Sequence, residues 1–343
     1  MSSGKVQEGS VHTIKAAKQL CKWFRYKDIP CYLHGPPGVG KSQALRQLAD
    51  EDEVGFIDIR AGTKLPEDFS GIPVPDLEKQ MAIWLKASFW PDEKRDGKEG
   101  IILFDELTDT SKPVQSCLYQ VILDRRIGDV ELPDGWWPCA AGNRRVDKAA
   151  AQALSTALAN RFAHVDIEPD ATAFYQWAMT QEHMGDLVPG FVRAFPHLLH
   201  SMEGADLRAF PTPRSWEQVA KAIDGCPQEL TLQVVAALVG DGAAGEFHGF
   251  LRTVDLPDLE DIEKDPKGTH IPKEPSSKWA LTCMMSRYMN KRNITALMTY
   301  IKRGDFGKDF EIACVLDATQ RDKELCDTKA FTEFANRNQE LQL

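Results

Sequence analysis

Several things are scarce in this chain of 343 residues, and each scarcity removes a class of answer. The eight cysteines never occur as CxxC and lie in ordinary stretches such as "LTCMMSR" and "EIACVLD". Neither a disulfide framework nor a cysteine-rich zinc site is expected, and a reducing cytoplasm suits these thiols. No run approaches the roughly 18 apolar residues of a membrane span. The opening "MSSGKVQEGSVHTIKAAKQL" lacks the apolar stretch of a secretory signal. The expectation is a soluble cytoplasmic protein with no membrane role. Positive charge is also short: 41 Lys and Arg stand against 51 Asp and Glu, a formal net charge of -10. That balance disfavours coating nucleic acid with the general surface and leaves only a locally basic groove for such a partner. Internal repeats and heptad arrays are missing too.

What is present begins with short β-rich runs, each followed by a helical pattern: "PCYLH" (30–34), "GFIDIRA" (55–61), "GIILFDE" (100–106), "WPCAAGN" (137–143) and "FAHVDIE" (162–168). Such alternation predicts a mostly parallel sheet with helices on both faces, an α/β fold. Ile101, Ile102, Leu103 and Phe104 run without alternation, as in a central strand buried on both faces. Val114, Cys117, Leu118, Val121 and Ile122 then repeat at helical spacing, with Pro113 suited to the first turn. "IGDVELPDGWWPCAA" predicts a hairpin turning at Pro133, Asp134 and Gly135. Trp136 and Trp137 in it are read as packing residues. After "DIEPD" helical patterns dominate, so a second, α-rich domain is expected from about 170. The proline-broken, charged stretch 255–278 reads as an extended connector.

"HGPPGVGKS" carries three glycines and two prolines in nine residues, which neither a helix nor a strand interior accepts. Residues 35–42 fit G-x-x-x-x-G-K-S, preceded by a strand and followed by a helical segment, the setting of a phosphate-binding P-loop. The backbone N–H groups of Gly35, Pro37's neighbours Gly38, Val39 and Gly40, and the positive end of the next helix would surround a triphosphate, with Pro36 and Pro37 stiffening the approach. Lys41 would reach the β/γ oxygens and Ser42 would hold Mg²⁺. Asp105, closing "IILFD", would sit at the carboxyl end of a buried strand and orient the metal, and Glu106 would polarise the attacking water. Taken alone, the two acids read as readily as a strand ending in solvated carboxylates. Arg214 follows a good N-cap, Thr212, and a good first helical residue, Pro213. A cation in a first turn opposes the helix dipole, a conflict that a bound anion removes.

With these residues in view the chain resembles the AAA+ ATPases, and within them the MoxR-like ATP-binding proteins of bacteria and their phages. "GPPGVGKS", "ILFDELTDTSKPVQSCLYQVILDRRIGDVELPDGWWPCAAGNR", "LSTALANRFAHVDI" and "TPRSWEQVAKAI" carry the resemblance, which covers about 15–250 well and the rest loosely. It implies an AAA+ core at 1–169, a helical lid at 170–252, and a charged connector with a helical extension at 253–343. It implies ATP and Mg²⁺ as ligands and a ring, a hexamer in the family, whose subunit interfaces hold the active sites. Asn143 matches the polar sensor 1 that lies between the acids and the γ-phosphate. Arg161 in "ALANRF" matches the arginine finger reaching the next subunit. Asn160 stands where many relatives have an acid, and Arg144 or Arg145 could share the role. Arg214 matches sensor 2. The hairpin before Asn143 corresponds to the one that marks this branch, and 62–98 to an insertion facing pore or surface, where partner contacts are sought. The implied task is chaperone-like remodelling of a protein partner, which in relatives often carries a von Willebrand A domain. An ATP-gated scaffold with little turnover and a DNA-remodelling motor are the alternatives. His197 and His200 lack a third ligand, and the acids at Asp255, Asp258, Glu260 and Asp261 lack the spacing and glycine of a calcium loop. His34 is read as closing its strand.

Overall fold

The computed structural model describes residues 11–144, 153–202, 208–303 and 305–338. They form two compact units that divide between Pro169 and Asp170.

The first unit alternates strands and helices. β1 (Val11–His12) and α1 (Ile14–Tyr26) lead into β2 (Cys31–His34), α2 (Lys41–Glu51) and β3 (Gly55–Arg60). The stretch 62–98 holds α3 (Pro66–Ser70), a hairpin of β4 (Ile72–Asp76) and β5 (Met81–Leu85), and α4 (Glu93–Asp96). β6 (Gly100–Asp105), α5 (Lys112–Asp124), β7 (Arg126–Ile127), β8 (Val130–Glu131), β9 (Trp136–Gly142), α6 (Thr156–Ala159) and β10 (Ala163–Ile167) complete it. Six strands form one parallel sheet in the order β1-β10-β2-β9-β6-β3. The expected parallel sheet between helices is therefore observed, with β1 as a sixth strand too short to announce itself in the sequence.

Alternation along each strand splits the core between the two faces. Tyr32, Ile102, Phe104, Trp136 and Ala140 face one side with α5, while Cys31, Leu33, Ile101, Leu103, Cys139 and Val165 face the other with α1 and α2. Each fully buried aliphatic or aromatic side chain on β6 contributes about 1.5–3 kcal/mol relative to exposure. Trp136 and Trp137 are both buried, as packing residues are. Trp136 lies flat over two neighbouring strands that must carry glycine beneath it: a Cβ on Gly100 would sit 2.5 Å from its ring, and one on Gly55 2.7 Å.

One local expectation is corrected. The hairpin turns at Gly128 and Asp129, between paired Ile127 and Val130, and not at 133–135. Gly128 takes φ +54°, which suits a two-residue loop, whereas Pro133 only starts the turn that feeds β9. Cys117, expected on the apolar face of α5, is half-buried and packs against the same core, and Gln115 is buried beside it.

The second unit is helical among its described residues: α7 (Ala171–Met179), α8 (Leu187–Ala194), α9 (Pro213–Ile223), α10 (Gln228–Val239), α11 (Asp241–Thr253), α12 (Leu259–Lys264), α13 (Pro275–Tyr288), α14 (Ile294–Ile301), α15 (Lys308–Arg321) and α16 (Lys329–Arg337). One apolar cluster gathers Phe191, Trp216, Phe247 and Phe250, the other Leu281, Leu297, Tyr300, Val315 and Phe334. α13 feeds both, Ala280 into the first and Leu281 into the second. The stretch 255–278 is not merely extended: α12 forms within it and buries Ile262 completely. One apolar side chain per turn sufficed to dock a charged segment.

Candidate active site

The loop at 35–42 joins β2 to α2 at the carboxyl edge of the sheet. β2 lies between β10 and β9 inside the parallel sheet, so the loop leaves from the interior of the carboxyl edge, where α/β sheets bind ligands. Gly38 and Gly40 adopt φ +77° and +98°, values that side chains resist. Gly40 occupies the N-cap position of α2 and offers no side-chain cap, so the first N–H groups of that helix keep their capacity for an anion. Gly35 is fixed by packing, since an added Cβ would stand 2.7 Å from the Ile167 carbonyl oxygen.

Lys41 is only 8% exposed. Its Nζ donates to the carbonyls of Gly35 (2.8 Å) and Pro36 (3.0 Å) and to Asn143 Oδ1 (3.1 Å), all neutral acceptors. Ser42 Oγ donates to Asp105 Oδ2 at 2.6 Å, and the Glu106 N–H donates to Asp105 Oδ1 at 2.8 Å. Both oxygens of the carboxylate are thereby oriented. Among the described residues no group of three or more His, Cys, Asp or Glu side chains converges on a point. A hydroxyl and a carboxylate in contact are hard oxygen donors of the kind Mg²⁺ accepts, with its remaining positions left to phosphate and water. The residues present therefore fit that ion.

Glu106 takes φ +58°, left-handed backbone that costs a non-glycine residue of order 1 kcal/mol. Its Oε1 lies 3.4 Å from Arg60 Nη1 at the end of neighbouring β3, in a solvent-exposed pair. Burial raises the Asp58 carboxyl above its ordinary range, helped by the charges of Asp105 and Glu106. Asn143 follows β9, the strand between β2 and β6, which is why its amide meets Lys41. Beneath it, Gly142 leaves room for the buried Tyr32 hydroxyl, which a Cβ there would strike.

The finger segment is held within the first unit. Arg161 stacks its guanidinium over the Tyr119 ring at 5.5 Å, and Nη2 donates to the Tyr119 hydroxyl at 3.3 Å. Its Nε is buried without a partner. Arg144 pairs with Glu168, and Arg145 lies outside the described residues. Arg214 sits in the first turn of α9, exposed, behind a reciprocal Thr212 and Ser215 cap. It makes no hydrogen bond or ion pair with the described residues, and it belongs to the second unit.

Two features at this edge escaped the sequence reading. Arg60 is one, since nothing in "FIDIRAG" marks it. The other is a histidine pair: His34 Nε2 lies 2.7 Å from His164 Nδ1, and His164 Nε2 lies 2.8 Å from the Ala159 carbonyl oxygen. A carbonyl only accepts, so His164 donates through Nε2 and its Nδ1 accepts from His34. Burial, with His164, Lys41 and Arg144 nearby, pushes the His34 imidazole down to about 4. His34 thus does more than close its strand.

Residues 31–164 match the family described as "ATPase family associated with various cellular activities (AAA)". Comparison with curated proteins returns no match. Solved structures similar to the chain include NtrX from Brucella abortus in complex with ATP, 12% identical, covering 98% of this chain and 69% of that one, with a TM-score of 0.41. Another is the Thermotoga maritima RuvB Holliday junction branch migration motor, 18% identical, covering 73% and 74%, with a TM-score of 0.34. Scores this low carry no argument about activity. Residues 31–164 thus match the AAA family, and the parallel sheet with its glycine loop has the P-loop NTPase fold.

Proposed function

We propose that the chain binds and hydrolyses Mg²⁺-ATP as a MoxR-like AAA+ ATPase, working in the cytoplasm as a ring, a hexamer by resemblance, that remodels a protein partner in chaperone-like fashion. The observation that carries the reading is the 2.6 Å contact between Ser42 and Asp105, made beside Lys41 and Asn143. A hydroxyl and a carboxylate 63 positions apart in sequence meet there at the end of the glycine loop, which supports a shared Mg²⁺ site.

In this proposal the N–H groups of 35–42 cradle the phosphates, and Lys41 exchanges its neutral carbonyl partners for β/γ oxygens. Magnesium, when bound, neutralises charge on those oxygens, and Ser42 and Asp105 would hold it. Glu106 accepts the proton of the attacking water, and Asn143 orients that water through its amide without adding charge. Arg161 leaves Tyr119 for the neighbouring subunit's site, where such a guanidinium raises turnover about 10³–10⁵-fold. Arg214 contributes from the lid, 170–252, which hydrolysis moves against the core 1–169. The extension 253–343 lies beyond the lid. Partner contacts, of the kind a von Willebrand A domain would make, are assigned to 62–98. There β4 and β5 expose Ile72, Met81, Trp84 and Leu85.

Arg161→Ala should retain ATP binding and lose turnover, and mixing it with Glu106→Gln should restore activity at hybrid interfaces. Unchanged turnover in Arg161→Ala overturns the finger assignment. Native mass measurements in ATP, in ADP and without nucleotide test the ring. The Arg60–Glu106 pair favours a second reading, an ATP-gated scaffold with little turnover, because it engages the proposed base. Phosphate release that stays negligible with partner present, and rises in Arg60→Ala, would select it. Stimulation of turnover by DNA would instead select a DNA-remodelling motor, which the acidic net charge disfavours.

A further inference from the structure

Within the helical unit, α7, α8, α13 and α15 line a half-open cavity of about 280 Å³. Its walls carry one cation, Arg193, and two acids, Asp309 and Asp317, over an apolar floor of Ile312, Ala313 and Leu316. Arg193 is placed there by close helix contact: α8 carries Gly190 one turn earlier, and a Cβ on it would lie 2.7 Å from Ala280 Cα on α13. The guanidinium lies over two rings, 4.5 Å from the Tyr175 centroid and 4.7 Å from that of Trp279.

Stacking satisfies the faces of a guanidinium and leaves its edge, where all five N–H donors lie. Among the described residues none of these donors meets an acceptor, and Arg193 forms no ion pair. The acids do not supply one. Asp317 accepts the Tyr175 hydroxyl at 2.7 Å through Oδ2, and Asp309 sits exposed in the first turn of α15. Opposite charges thus line one small cavity without closing on each other. A protein whose only concern was stability would have joined them or replaced them, since half-buried unpaired charge is unfavourable. Burial raises the Asp317 carboxyl against the lowering effect of Tyr175 and Arg193. A cation from outside would relieve that conflict.

The geometry points to a binding site for a small zwitterion, an aliphatic α-amino acid, with its carboxylate on the edge of Arg193 and its ammonium toward Asp317 and Asp309. The side chain would lie against Trp279, Ile312 and Leu316. A nucleotide is disfavoured, because its several negative charges would meet two acids with one arginine. This site is separate from the P-loop and does not depend on ATP.

Calorimetry on the full chain, without nucleotide or magnesium, with L-alanine, L-valine and L-leucine tests the assignment. Saturable one-to-one binding of at least one is expected. N-acetyl-L-leucine, lacking the ammonium, and L-leucinamide, lacking the carboxylate, should each bind about tenfold or more weaker, the loss of one charged hydrogen bond. Arg193→Gln and Asp317→Asn should weaken binding similarly, and Arg193→Lys, which keeps the charge but not the planar fork, should recover part of it. Circular dichroism reports whether each variant folds, and the two blocked ligands test the folded wild-type chain regardless. No heat from any of the three amino acids at about 10 mM, a concentration well above useful affinity, overturns the proposal. So does equal binding by the blocked analogues or by folded Arg193→Gln.

Discussion

Acidification should destabilise the P-loop unit through one imidazole. In the unfolded chain His34 takes a proton near 6.5, the ordinary value, whereas in the folded chain it does so only at about 4. Between these values the unfolded state binds more protons, so stability falls as the pH drops through that window and is fully retained above it. The depression, at about 1.36 kcal/mol per pH unit, comes to roughly 3 kcal/mol, an upper figure for a side chain not wholly enclosed. The physical cause is that a second proton on His34 would place a cation among Lys41, Arg144 and His164 in a partly dry site. His34→Gln keeps a donor for His164 Nδ1 and cannot titrate. Urea unfolding of wild type and variant from pH 7.5 to 4 should give difference curves that diverge by about 2–3 kcal/mol. Carboxyls raised by burial, such as Asp58 and Asp186, cancel in that difference because both chains share them. Nuclear magnetic resonance of the His34 ring supplies the direct check. A folded-state midpoint near 6.5, or parallel unfolding curves, would refute the reasoning.

Three further outcomes are expected. Lys41→Ala removes a buried ammonium that donates to the Gly35 and Pro36 carbonyls and to Asn143, and titration with a slowly hydrolysed ATP analogue should show binding weakened by about 100-fold, the scale of a lost charge-assisted contact. Gly100→Ala forces a methyl into the Trp136 ring, so denaturant unfolding should show a loss of about 1–3 kcal/mol, and an unchanged midpoint would mean that the strand shifts freely. Tyr119→Leu deletes both the stack and the hydrogen bond on Arg161; turnover should fall while ATP affinity holds, with Tyr119→Phe between the two.

The legible parts of this protein were local. Five strands of the sheet could be read from short apolar runs, and α5 from its spacing after Pro113, because alternation and helical period are properties of consecutive residues. The loop at 35–42 was legible for the same reason: positive φ needs glycine where the loop bends, so the requirement is written where it acts. The hairpin is legible in sequence but the place of its turn is not, since Pro-Asp-Gly is the stronger turn signal and only strand pairing puts Gly128 at the close of the ladder. Likewise, the prolines of 255–278 suggested an open connector, and burial of Ile262 against other helices overrode them.

Sequence by itself therefore determined the α/β class, the phosphate loop and the acids at the end of β6, because each depends on neighbours in the chain. Tertiary structure alone decided which side chains meet. β9 inserts between β2 and β6 and carries Asn143 to Lys41, parallel β3 brings Arg60 to Glu106, and adjacent β2 and β10 join His34 to His164. The stacking of Arg193 over rings from α7 and α13 is of the same kind. Such contacts depend on strand order and helix packing, free-energy minima of the whole unit that no short window of residues encodes.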